Sequence, residues 1–273
     1  MDDVRLGRGA SFRLRVGIVA LTAPAALVTV LLLPPIPQSQ GYHQFADSRV
    51  ILGIPHFGDV VTNAPYLVVG AAGLWWLARR GRKSPAFTDP REMRAYAVFF
   101  LGVTLTAFGS TWYHLAPTND SLLWDRLPMS LAFMGLFSAV LAERVGLRVG
   151  TRLLSVLVAG GLACVLHWHL TERAGAGDLR FYGLVQFYPM LAIPLMMLLL
   201  PARYSRSGYL WGVMAWYAAA KAAEVLDRPI LEATGVVTGH NLKHVLAALS
   251  ALWLLLMLYA RRPTPPPEEG KAR

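Results

Sequence analysis

Low-charge apolar blocks, each about as long as a bilayer is thick, recur along this chain, and they constrain its fold more than any other feature. A hydrocarbon core of about 30 Å takes roughly 20 helical residues to cross, because only a helix satisfies its own backbone in lipid. Eight such stretches can be read: about Val16 to Leu33, Val60 to Ala78, Tyr96 to Tyr113, Leu127 to Leu141, Leu153 to Leu170, Tyr182 to Leu200, Tyr209 to Ala223 and Leu242 to Ala260. With 55% hydrophobic and 15% charged residues, the expected class is an all-α integral membrane protein. The fourth stretch is short and the seventh is polar at its end. The first is too long for a cleavable signal segment and is followed by LLPPIPQ rather than a small-residue cleavage motif, so it is read as a true span.

Basic residues test this count, since they collect on the cytoplasmic side of membrane proteins. Nineteen fall on one set of alternating connections, including Arg79, Arg80, Arg82, Lys83, Arg144, Arg148, Arg203 and Arg261, against five on the other. Eight spans with both termini cytoplasmic follow. The net charge of +10 is explained by this bias and by anionic lipid, so a nucleic-acid partner is not expected. The tail 261–273, RRPTPPPEEGKAR, is rich in proline and charge and is expected to be disordered. Cys164 is the only cysteine, which excludes an intramolecular disulfide and a thiolate metal cluster. No phosphate-cradling glycine motif is present.

Two helical i, i+4 pairs stand out inside apolar segments: Ser110 with His114 in GSTWYH, and His240 with His244 in GHNLKH. Residues four apart differ by about 40° around a helix and project from nearly one face. On the eight-span topology His114, His240 and His244 share one depth, at the non-cytoplasmic ends of their helices. Asp125 joins them there, after the turn-forming LAPTND. Ionisable groups within a bilayer face one another or a cavity, so the working expectation is a metal site with His114, His240 and His244 as ligands. Zinc suits three neutral imidazoles, leaving a fourth position for a water whose pKa falls toward about 7. Asp125 would move that water's proton, and Ser110 would hydrogen-bond the water or the developing oxyanion. Taken singly, each residue has a plainer reading: an interfacial histidine, a hydroxyl bonded back to its own helix, or for Asp125 an N-cap.

The segment GSTWYHLAPTNDSLLWDRLPM, followed downstream by GHNLKHVLAAL, resembles the alkaline ceramidases and their superfamily of membrane hydrolases, which includes the progestin and adipoQ receptors and the Per1-like proteins. The resemblance runs from about Tyr42 to Tyr259. It implies a seven-helix bundle over 37–260, with 1–36 as a basic N-terminus and extra transmembrane helix. It also implies zinc held by three histidines beside a serine and an aspartate, and cleavage of the amide of a ceramide-like lipid to sphingoid base and fatty acid. The family's calcium site is in doubt, because Asp47 and Asp59 are the only carboxylates in YHQFADSRVILGIPHFGDVVTN and His56 stands where a family glutamate would be. Two further readings stay open: a lipid ester hydrolase of the Per1-like kind, and a receptor-like bundle with structural zinc. Tyr182, Gln186 and Tyr188 are candidates to line a substrate path, whereas Lys221, Glu224 and Asp227 read as a structural cluster, and Asn241 and Lys243 fall on other faces than the histidines.

Overall fold

The computed structural model describes residues 9–264, which are helical and connecting segments without a named strand. In chain order the helices are α1 (Ala10–Leu32), α2 (Phe57–Val61), α3 (Ala64–Arg80), α4 (Met93–Leu115), α5 (Asn119–Arg144), α6 (Leu147–Arg173), α7 (Arg180–Leu199), α8 (Tyr209–Val225), α9 (Asp227–Thr234) and α10 (Gly239–Ala260). Seven segments are long and apolar enough to cross a membrane: α1, α2 with α3, α4, α5, α6, α7 and α10. The expected eighth, α8, has 17 residues, short of the roughly 20 a perpendicular crossing takes. The all-α architecture of an integral membrane protein is therefore present, and the count of eight rests on α8.

Two helices begin on the same device. Thr118 accepts from the Ser121 backbone N–H while the Ser121 hydroxyl receives the Thr118 N–H, closing a capping box at the start of α5. Thr238 and Asn241 repeat the arrangement at α10. Each box satisfies helix-start N–H groups that lipid could not. The fourth apolar stretch therefore extends to Asn119–Arg144, because its first two turns are polar in sequence but paired in the structure.

The helices pack as an open ring, with α1 on α7, α7 on α6 and α5, α5 on α6 and α4, α4 on α3, α3 on α10, and α10 on α8. Helix α5 is the most enclosed of the spanning segments. By contrast α1 buries only Val19 and leans on α7 from outside, tied by Thr22 Oγ1 to Tyr188 OH at 3.0 Å. The ring is not sealed everywhere: α7 and α8, though successive, pack on other helices rather than along each other. Gln186 Nε2 donates to Tyr217 OH across that gap at 2.7 Å.

At the end of the bundle away from the capping boxes, α10 runs into a buried ionic knot. Arg261 is 1% exposed, donates to Ala86 O at 2.8 Å and to Tyr96 OH at 2.7 Å, and lies 3.3 Å from Glu143. Tyr204 donates to Glu92 in the same knot. This corrects the boundary of the tail: Arg261 is a core residue, and Arg262 to Thr264 are held by Ser205 and Arg203. The stretch 265–273 and the basic residues Arg5 and Arg8 lie outside the described residues.

Candidate metal centre

The three histidines come together at the capped end of the bundle. One ring nitrogen from each of His114, His240 and His244 lies within 4.8 Å of the others, and all three residues are buried, at 0%, 4% and 1% exposure. Ring centroids are 4.8 Å apart for His114 and His240, 5.1 Å for His114 and His244, and 4.8 Å for His240 and His244. The sequence forces this locally. The capping box places His240 at the second position of α10 and His244 one turn on, and Asp227 Oδ1 accepts the His240 backbone N–H at 2.8 Å. The Gly239 position also matters, since a Cβ there would lie 2.0 Å from the Ala223 carbonyl oxygen. Only glycine lets α10 start so close to the end of α8.

The donor set fits a soft-to-borderline divalent ion. Both ring nitrogens of His114 are buried without a hydrogen-bond partner, and so is His244 Nε2. Thr62 donates its single hydroxyl hydrogen to Gly58 O at 2.7 Å, so its lone pair accepts from His244 Nδ1 at 3.0 Å. That fixes the His244 tautomer and leaves the Nε2 lone pair facing the cluster, the arrangement metal-binding histidines use. Buried imidazole nitrogens without partners are costly in a low-dielectric interior, and a bound cation removes that cost. His240 Nε2 stands 3.3 Å from Lys243 Nζ, and Glu224 Oε1 engages the same ammonium at 2.9 Å. Lys243 thus has a carboxylate partner of its own beside the imidazole.

Asp125 and Ser110 share a cavity wall with one member of the cluster, His244. Asp125 lies two turns into α5 rather than at its start, so the N-cap reading is replaced: Thr118 is the cap. Ser110 on α4 and Asp125 on α5 line the same cavity. Gly109 makes this possible, because a Cβ there would come within 2.0 Å of the Trp124 carbonyl oxygen. The backbones of α4 and α5 touch immediately beside Ser110 and Asp125.

Ser110, Asp125 and His244 line an internal cavity of about 90 Å³ with otherwise mostly apolar walls. A larger cavity, about 680 Å³, shares Tyr66, Asp125, Met129, Tyr217, Lys243 and Ala247 with it and extends between α7 and α8. Tyr182, Gln186 and Tyr188 line that larger space. Phe45 packs edge-on against His114 and His240, with centroids at 4.5 and 4.7 Å, and covers the cluster from the loop side.

The loop before α3 braces the site. Asp47 accepts from Arg49 Nε at 2.6 Å and from the Gly58 N–H at 2.7 Å. Burial pushes the Asp47 carboxyl up, but the Arg49 guanidinium and the backbone donors outweigh this and hold it below the usual carboxylate range. Asp59 Oδ1 accepts from Asn241 Nδ2 at 2.6 Å. His56 bonds the Asp47 carbonyl at 2.6 Å through Nδ1 and has left-handed backbone, φ 46°. His43 bonds Tyr113 OH and Asn119 Oδ1. His167 and His169 point to separate carboxylates, Asp178 at 3.5 Å and Asp120 at 3.7 Å.

The three histidines singled out in the sequence do come together, but several residues packed around them were not singled out with them. Lys243, set aside as lying on another face, is a cavity-wall residue, and Glu224 binds it together with Lys221. Asp227 anchors α10 through the His240 N–H and the loop through the Ala46 N–H. Thr62 is 182 positions from His244, and nothing short-range signals that pair.

Fold and site together define a helical membrane bundle with a buried three-histidine cluster, one histidine of which shares a cavity wall with an aspartate and a serine. No family model matches this chain, and no curated protein matches it either.

Proposed function

We propose that this protein is a zinc-dependent intramembrane hydrolase that cleaves the amide bond of a ceramide-like lipid, releasing a sphingoid base and a fatty acid. The observation that carries the reading is the convergence of three buried imidazoles beside Asp125 and Ser110, on cavities that run to the gap between α7 and α8. The resemblance of GSTWYH and GHNLKH to alkaline ceramidase motifs supports the same reading.

His114, His240 and His244 would hold the zinc, which would supply Lewis acidity for the carbonyl and lower the pKa of a water near it. Asp125 is the group placed to take the proton of the attacking water and return it to the leaving nitrogen. Ser110 lines the same cavity and offers a hydroxyl to the oxyanion that develops on the carbonyl. Phe45 shields the reacting end from bulk solvent, which strengthens each of these interactions. The apolar part of the larger cavity, with Val30, Leu33, Leu184 and Leu191, accommodates an acyl chain. Substrate enters sideways between α7 and α8. The cluster lies toward the non-cytoplasmic face, with both termini cytoplasmic, and calcium is not part of the reading.

Three histidines, rather than four protein ligands, make up the cluster among the described residues. That favours a catalytic site with an open position over a structural zinc in a receptor-like bundle. The test is incubation of the zinc-loaded, detergent-purified protein with a mixed lipid extract, followed by mass analysis of the fragments. Free fatty acid with a sphingoid base is the expected result. Fatty acid with a lysophospholipid would replace the amide by an ester, as in a Per1-like enzyme, and no release at all would remove the hydrolase reading.

A further inference from the structure

Arg126 follows Asp125 in the chain, is 5% exposed, and lies on the wall of the 680 Å³ cavity. Its Nη2 donates to Gln38 Oε1 at 2.6 Å. Its Nη1 is buried with no hydrogen-bond partner, and no carboxylate among the described residues stands at ion-pair distance from it. Three rings surround the guanidinium instead: Trp168 at 4.1 Å, Tyr182 at 4.7 Å and Tyr42 at 5.7 Å. An arginine keeps its charge when buried, and ring faces and one amide oxygen compensate its desolvation only in part. A buried guanidinium with a spare donor at a cavity wall is therefore matched to an oxyanion, which its planar fork recognises in bidentate fashion.

The charge of the whole wall points the same way. Arg126, Arg180, Lys221 and Lys243 line the cavity against Asp125 and Glu224. Arg180 is neutralised by Asp178 at 2.8 Å, and the two lysines share the single carboxylate of Glu224. With Asp125 counted as well, one net positive charge is left over on the wall, and Arg126 is the cation there with no carboxylate at ion-pair distance among the described residues. Tyr42 joins Arg126 to Glu224, since its ring lies by Arg126 and its hydroxyl donates to Glu224 at 3.3 Å.

We infer that Arg126, positioned by Gln38, Trp168 and Tyr182, forms a subsite for an anionic oxygen group, phosphate or carboxylate, carried by the lipid that occupies this cavity. The inference rests on the reading of the cavity as a lipid path and adds the charge of the ligand to it. Two sources share this chemistry: an anionic headgroup on the lipid substrate, and the carboxylate of a released fatty acid.

Binding to the chelator-stripped protein in neutral-lipid nanodiscs tests this without hydrolysis. The probes are ceramide 1-phosphate against ceramide of the same chains, and oleate against oleyl alcohol. The expected result is a preference of about tenfold or more for the anionic member of at least one pair, abolished by Arg126→Gln with the neutral member unaffected. Preference in the first pair assigns a headgroup; preference only in the second assigns the fatty-acid carboxylate. Equal binding within both pairs would overturn the subsite, as would a preference that survives Arg126→Gln. If Arg126→Gln does not fold, Arg126→Lys, which keeps the charge and loses the fork, must lose part of the preference; an unchanged preference there overturns the inference. A protein that shows the preference but never cleaves lipid would remove the hydrolase reading and leave this subsite standing, and a hydrolase without the preference would do the reverse.

Discussion

At the scale of single residues, the account turns on which nitrogen lone pairs are free. Thr62 sets the His244 tautomer through one hydroxyl whose hydrogen is already directed to Gly58. Thr62→Val keeps the shape and removes that acceptor, so zinc affinity should fall by about 10- to 100-fold in a chelator competition. An unchanged affinity would show that the contact does not orient the ring. Asp125→Asn should retain zinc and lose turnover by about 100-fold or more, the usual size of a general acid–base contribution. The histidine cluster was legible in the sequence because Ser110 with His114, and His240 with His244, each fall within about one helical turn in an apolar segment. Thr62, Lys243 with Glu224, and Arg126 with Gln38 were not, since their meaning depends on partners brought from distant segments.

At the scale of helices, close approach of backbones does what side-chain burial does in water, because lipid gives apolar surfaces no drive to associate. The α4–α5 contact at Gly109 is one instance, a crossing next to Ser110 and Asp125, which line one cavity. Gly109→Ala must push the two helices apart. The expected cost is about 1–3 kcal/mol in thermal unfolding, with a loss of turnover larger than the loss of zinc. Loss of zinc and turnover in parallel would mean that the crossing positions the histidines instead. Hydropathy located the seven long apolar helices found among the described residues and misjudged their ends. Leu127 to Leu141 became Asn119–Arg144 because the two extra turns are polar residues that cap and line the site. The polar end of the seventh stretch reflects a break after Val225, where α8 stops and α9 begins.

At the scale of the molecule, two polar assemblies hold the bundle, one at each end. The capped end carries the histidine cluster, and the opposite end carries the knot of Arg261, Glu143, Glu92, Tyr96 and Tyr204. Arg261→Met leaves Glu92 buried without this counter-charge and Glu143 with only Arg144, at 3.6 Å, which should cost about 3–5 kcal/mol. Adding Glu143→Gln should recover part of that loss, and a double variant no more stable than the single would show that the two charges do not interact. The sequence hid this knot: RRP at the end of a span reads as the start of a charged tail, and only the fold shows Arg261 turned inward.

The central claim is that three histidines from separated segments grip one cation, and metal counting tests it most directly. Purified wild-type protein supplied with zinc should carry about one zinc per chain, and His114→Ala and His244→Ala, still folded, should lose it. A folded wild-type protein that takes up no zinc, or zinc content unchanged in both variants, would contradict the account.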